Sequence, residues 1–159
     1  MRTSLVVAAA AATLLGTPFL VAPATAAPVT AAASVCPVDG GDPDPYTAKA
    51  TRATASVTTA DGRTISVELR SGNNAAAQQH AWVKISSSTP LRATDQVWLE
   101  VTGDSGATWA TCGVTSPVAG SLSAWTHGFR TSTSAQVRMV GAVRVVQTPT
   151  DLVGRTGTW

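Results

Sequence analysis

Thr54-Ala55-Ser56-Val57-Thr58-Thr59-Ala60-Asp61-Gly62-Arg63-Thr64-Ile65-Ser66-Val67-Glu68-Leu69-Arg70 sets two β-favouring runs around an Asp-Gly pair. The second run alternates: Ile65, Val67 and Leu69 point one way, Ser66, Glu68 and Arg70 the other. Side chains on a strand change face at every residue, so this is the pattern of a half-buried strand. Asp-Gly between two such runs predicts a hairpin with positive φ at both central residues.

The same period recurs along the chain. Gly72-Asn73-Asn74 closes the second run, and Ala81 to Ile85 is the next short strand. Ser86 to Pro90 is a turn; then Gln96 to Val101 alternates with Val97, Leu99 and Val101 on one face. Thr108 to Cys112, Ser121 to Arg130 and Gln136 to Val146 complete the set. In the last of these Val137, Met139, Val143 and Val145 share a parity, opposite Arg138 and Arg144. Only Asn74 to His80 has a composition that suits a helical turn. About seven short strands separated by Gly, Pro and Ser turns predict an all-β fold, an antiparallel β-sandwich or small barrel.

The chain has 159 residues, 11 Lys+Arg against 9 Asp+Glu, and only 13% charged residues. That length makes one domain the default. The near balance of charge lacks the basic footprint of a nucleic-acid binder. At the N-terminus, Met1-Arg2 precedes an apolar run from Leu5 to Leu15, and Ala24-Thr25-Ala26 offers small residues for cleavage. This is a secretory signal pattern, with the mature start after Ala26 or Ala33. A membrane anchor is the competing reading of Leu5 to Ala22, but Thr13, Thr17 and Pro18 interrupt it and no basic cluster follows. The expected organisation is therefore a signal peptide over 1–26, a flexible lead-in over 27–50 and a β-sandwich domain over 51–159. Export exposes Cys36 and Cys112, the only cysteines, to an oxidising compartment. They can pair with each other, stay free or bridge to another chain. No membrane contact is expected after cleavage, and the product is expected to be a monomer.

Asp39, Asp42 and Asp44 crowd the lead-in, but their spacing does not match a calcium-binding loop and Pro43 and Pro45 stiffen it. The segment reads as solvated linker, and no metal or other cofactor is expected. Further along, Thr102-Gly103-Asp104-Ser105-Gly106-Ala107-Thr108-Trp109 fits the pattern Ser/Thr-x-Asp-x-Gly-x-Thr-Trp. It resembles the Asp-box hairpin of sialidases and other secreted proteins. Asp104 would bond backbone N–H groups across the turn, Gly106 would take positive φ, and Trp109 would bury apolar area on the returning strand. The resemblance implies a structural hairpin. A sialidase is excluded by the single box, by a length too short for six propeller blades, and by the lone tyrosine, Tyr46, lying in the lead-in.

Asp61 to Leu69, Ala81 to Ile85, Asp95 to Glu100, the Asp-box and Trp125-Thr126-His127-Gly128-Phe129-Arg130 through Met139 together resemble a group of small secreted actinobacterial proteins. That resemblance carries no activity. It implies a cysteine near His80 and another near Gly141, and neither is present, which leaves Cys36–Cys112 as this chain's own option.

Catalytic inventory is thin. His80 and His127 are the only histidines, and Glu68 and Glu100 the only glutamates. A glycosidase needs two carboxylates flanking a cleft, and a ribonuclease an acid/base pair with cations near the phosphate. His127 with Arg130, His80 and Glu100 would have to converge, and nothing in their spacing brings them together. No serine-nucleophile elbow, phosphate-binding loop or dinucleotide fingerprint occurs. Aromatics are the better lead. Trp98 opposes Val97, Leu99 and Val101 in parity, so it shares a face with Gln96 and Glu100; Trp82 lies beside Lys84. Such residues are either a second buried face or a platform for sugar rings. Trp98, Trp82 and Trp125 are the candidate binding residues. The expectation is a secreted, non-catalytic binding module for a glycan or cell-wall polymer. A small hydrolase using His127, His80 and Glu100, and a protein-interaction or inhibitor domain using the Ser87 to Thr94 loop, are the alternatives.

Overall fold

The computed structural model describes residues 35–159, which fall within one unit, Ala31–Trp159. The signal-peptide reading of 1–26 and the start of the lead-in lie outside the described residues. Among these residues the fold is all-β with nine strands: β1 (Thr47–Thr58), β2 (Thr64–Asn73), β3 (Gln79–Ser87), β4 (Gln96–Thr102), β5 (Ala110–Thr115), β6 (Ser123–Trp125), β7 (Phe129–Arg130), β8 (Arg138–Val145) and β9 (Leu152–Arg155). One sheet runs β1-β2-β3-β6, with β7 also paired to β3; the other runs β5-β4-β8-β9. All pairings are antiparallel. The sheets face each other as a sandwich, not a closed barrel.

Alternation builds the core. Val67 and Leu69 on β2 lie in register with Ile85 and Val83 on β3, Ile65 lies opposite Ser87, and the apolar set meets Val97, Leu99, Val101, Met139, Val143 and Val145 from the other sheet. Burying one such side chain contributes roughly 1.5–3 kcal/mol. Beneath the sandwich edge, Arg63 and Asp95 form an ion pair with both side chains buried.

Several expectations need correcting. The strand count is nine, because Ser121 to Arg130 breaks into β6 and β7 around Thr126-His127-Gly128, and β9 follows Pro149 where no alternation was legible. Asn74 to His80 holds no helix; Ala77 takes φ of 57° in a turn that Asn74 caps through its side chain. The β1–β2 connection is a five-residue loop, not a two-residue turn. Gly62 bonds back to Thr59 at 2.9 Å and only Gly62 has positive φ there, at 80°. The Thr59 hydroxyl closes the loop by accepting from the Arg63 amide at 3.0 Å, which extends the turn beyond Asp-Gly.

The described part of the lead-in pairs with the sandwich. β1 begins at Thr47, Tyr46 is buried, and Asp39 forms a β-bridge with Phe129. Gly40 donates to the Gly128 carbonyl at 2.7 Å and Gly128 to that of Gly41 at 2.8 Å. Both glycines are needed: a Cβ on Gly40 would sit 2.4 Å from the His80 ring, and one on Gly128 2.5 Å from the Tyr46 ring. Cys36 and Cys112 are disulfide-bonded across 76 residues, which fits an oxidising compartment.

The β4–β5 connection closes on its own side chains. Asp104 accepts from the Thr102 hydroxyl at 2.6 Å, the Thr108 amide at 2.9 Å and the Thr108 hydroxyl at 2.7 Å. Gly106 has φ of 105°. Trp109, expected to bury its area, is instead 39% exposed, its ring folded against Gly106. The Thr102 hydroxyl, then the Thr108 hydroxyl and amide, hold the Asp104 carboxyl far below the usual carboxylate range. A depressed folded-state value stabilises above the ordinary carboxylate value and is lost as pH falls through the depressed one. Asp104→Asn should therefore lower the melting temperature at pH 7 and flatten its decline below about pH 4. Parallel melting curves that differ equally at pH 7 and pH 2.5 would refute this.

Candidate functional site

The outer face of the five-stranded sheet gathers the polar and aromatic residues that alternation expels from the core. Register arranges them in rows. Ser56, Ser66, Ser86 and Ser123 form one row across β1, β2, β3 and β6. At about 4.8 Å between strands, such a row spans about 14 Å. The next row is Thr54, Glu68, Lys84 and Trp125, and beyond it Arg70 stands opposite Trp82.

Trp82 and Trp125 therefore share one face, with Lys84, two residues beyond Trp82 on β3, paired directly with Trp125. Trp82 is only 3% exposed: Tyr46 packs edge-on at 5.7 Å and the Arg70 guanidinium stacks over it at 5.7 Å. Trp125 is half-buried and donates its indole N–H to Asp42 at 3.4 Å. Pro43, Asp44 and Lys49 from the lead-in wall a cleft of about 70 Å³ against Arg70, Trp82, Lys84 and Trp125. Lys49 Nζ donates to the Asp44 carbonyl at 2.7 Å, which fixes that wall. A second, open depression of about 310 Å³ is lined by Thr64, Ser66, Ser86, Ser87 and Ser88.

Trp98 is not part of this face. It lies on the outer side of the other sheet, where its indole N–H donates to Glu100 at 3.0 Å. Glu100 is in turn held by the Arg155 guanidinium at 2.9 Å. Burial opposes ionisation of Glu100, but the bonds from Arg155 and Trp98 outweigh it and keep the carboxyl below the usual range. The carboxylate is thus fully engaged and poorly suited to proton transfer.

The histidines occupy the end of the first sheet. His127 pairs with Asp39 at 2.9 Å, and this bond is the main cause lowering the Asp39 carboxyl. Both groups are more than half exposed. His80 is buried beneath Gly40, its Nδ1 2.9 Å from the Gln78 carbonyl and its ring 5.3 Å from that of Tyr46. Burial raises the Tyr46 phenol above its ordinary value, and the hydroxyl donates to the Gly40 carbonyl at 2.8 Å. Of the proposed trio, Glu100 sits on the opposite sheet, while His80, buried under Gly40, and the exposed His127 both lie near Asp39 at the end of the first sheet. An imidazole oriented by a carboxylate can exchange protons, but this one stands in open solvent. The Trp82–Trp125 cleft is lined by neither histidine.

Sequence reading missed Tyr46, Arg70 and the Asp42–Lys49 wall. The signal for Arg70 was present, since it shares parity with Glu68 across from Trp82. The wall had none, because a Pro- and Asp-rich segment gives no periodicity to read. Comparison with protein-family models, curated proteins and solved structures gives no match to this chain.

Proposed function

We propose that this chain is an exported, non-catalytic module that binds a glycan or cell-wall polymer on the outer face of the five-stranded sheet. The observation that carries the reading is the register of that face: Trp125 and Trp82 beside Arg70, Glu68 and Lys84, continuous with a row of four serines. Sugars present apolar C–H faces to aromatic rings and hydroxyls to charged and hydroxylic side chains. The small cleft has room for about two waters, so it suits one substituent of a sugar ring, with the polymer lying along the serine row. Trp125 supplies the more accessible ring, and Trp82 lies largely covered on the neighbouring strand of the same face. The leader pattern and the disulfide support an extracellular location, and N-terminal sequencing of culture-supernatant protein should find the mature start after Ala26 or Ala33.

The test is retention on insoluble peptidoglycan, chitin and cellulose. Trp125→Ala should weaken retention about tenfold or more, corresponding to about 1.4 kcal/mol. Trp98→Ala, on the other sheet, should leave it unchanged. Retention by none of the three polymers, or equal loss in both variants, would overturn the proposal.

A further inference from the structure

A second site, independent of the glycan face, lies at the end of the sandwich where the disulfide-anchored start of the described chain crosses it. There Val35, Pro37 and Val38 form one wall of a groove of about 400 Å³, with Val101 and Val137 as its floor and Arg130 at its rim. A second cleft of about 180 Å³ shares Thr131, Ser132 and Val137 with it and ends on Met139 and Trp159. The combined space falls in the range of small-ligand sites. Val35 and Val38 are 76% and 71% exposed, an apolar surface that the fold leaves uncovered among the described residues.

The charge of the groove selects its occupant. Among the described residues no Asp or Glu side chain lines either cleft. The two acidic residues next to lining residues are already engaged: Asp39 with His127, and Asp104 with Thr102 and Thr108. Among the described residues no ion pair involves Arg130. Its backbone N–H donates to the Val38 carbonyl at 3.0 Å, which ties the strand that carries Arg130 to the apolar wall. A guanidinium beside hydroxyls, where an apolar groove meets a second cleft, matches a ligand with one anionic head and one apolar tail.

We propose that this groove binds a free single-chain anionic amphiphile of the fatty-acid class. The carboxylate pairs with Arg130 near Thr131 and Ser132, and the tail runs over Val101, Val137 and Met139 toward Trp159. Binding is non-covalent. The hydrophobic effect supplies most of the affinity, and Arg130 supplies the preference for an anion.

The experiment uses the exported full chain and decanoate below its micelle concentration, measured by titration calorimetry. Decanoate should bind, and decyltrimethylammonium, with the same tail and the opposite charge, should bind at least about tenfold more weakly. Arg130→Gln should abolish that preference. Val38→Asp and Val35→Asp place a carboxylate in the wall at exposed positions and should remove decanoate binding without changing the circular dichroism. Trp125→Ala should leave it intact, so failure of the glycan reading and failure of this one are separable. Absence of decanoate binding, equal affinity for the two head groups, or indifference to both valine variants would each overturn the proposal. So would sedimentation with anionic vesicles without binding of free decanoate, or a dimer buried on this groove that decanoate does not dissociate.

Discussion

The double variant Cys36→Ser/Cys112→Ser should lose about 4 kcal/mol of unfolding free energy, close to half the stability of an ordinary domain. The bond closes a loop of 76 residues by sequence separation. In the chain-entropy account, a loop of that length restrains the unfolded ensemble by an amount between the roughly 3 kcal/mol of a 15-residue loop and the roughly 4.7 kcal/mol of a 100-residue one. The native side adds a specific role. Cys112 is buried in β5 of one sheet, while Cys36 begins the segment that crosses to pair with Gly128 and Arg130 beside the other. Cutting the link thus frees one end of the segment that carries Asp42, Pro43 and Asp44 to the Trp82–Trp125 cleft. Urea denaturation with and without reductant measures the effect. The midpoint should fall in both the variant and the reduced wild-type protein, and a loss below about 1 kcal/mol would refute the argument.

Asp95→Ala should cost about 3–5 kcal/mol. Asp95 is fully buried and receives both terminal nitrogens of Arg63, one of them at 3.2 Å, as well as the Arg92 amide at 2.9 Å. Removing the carboxylate leaves a guanidinium that is 5% exposed with no counter-charge among the described residues, where its Nε also has no hydrogen-bond partner. The cost is mainly that stranded charge, so the order of effects is diagnostic. Arg63→Met/Asp95→Leu should be more stable than Asp95→Ala, because apolar residues of similar volume avoid the desolvation of both ions. It should still fall short of wild type by about 1 kcal/mol, the loss of the acceptor for the Arg92 amide. A double-mutant cycle by chemical denaturation checks this. A double variant less stable than the single one would show that the pair is not the source of the cost.

These two sites differ in how legible they were. The cysteines could be counted, and a bond between them was one of three open options. Arg63 and Asp95 sit in loops, 32 positions apart, with no period or motif to connect them. The Thr102–Trp109 hairpin was legible because its bonds are local, between residues two to four apart, and Asp104 and Gly106 behave as such spacing requires. Trp109 was misjudged for the converse reason: whether an aromatic at a strand entrance finds a cover depends on what lies across from it.

Alternation alone determined the fold class and most of the core. A strand with one wet face must expel its polar residues every second position, so Ile65, Val67, Leu69, Val97, Leu99 and Val101 could be placed inside from the chain itself. Only the tertiary structure decided which outward faces coincide. Trp82 and Trp98 carry the same local pattern, opposite in parity to their apolar neighbours, yet they stand on opposite sides of the sandwich. Parity defines inside and outside for one strand, but carries no information about which sheet the strand joins. That choice rests on long-range pairing, which sets Trp125 beside Lys84, Arg70 opposite Trp82 and Val38 beside Arg130.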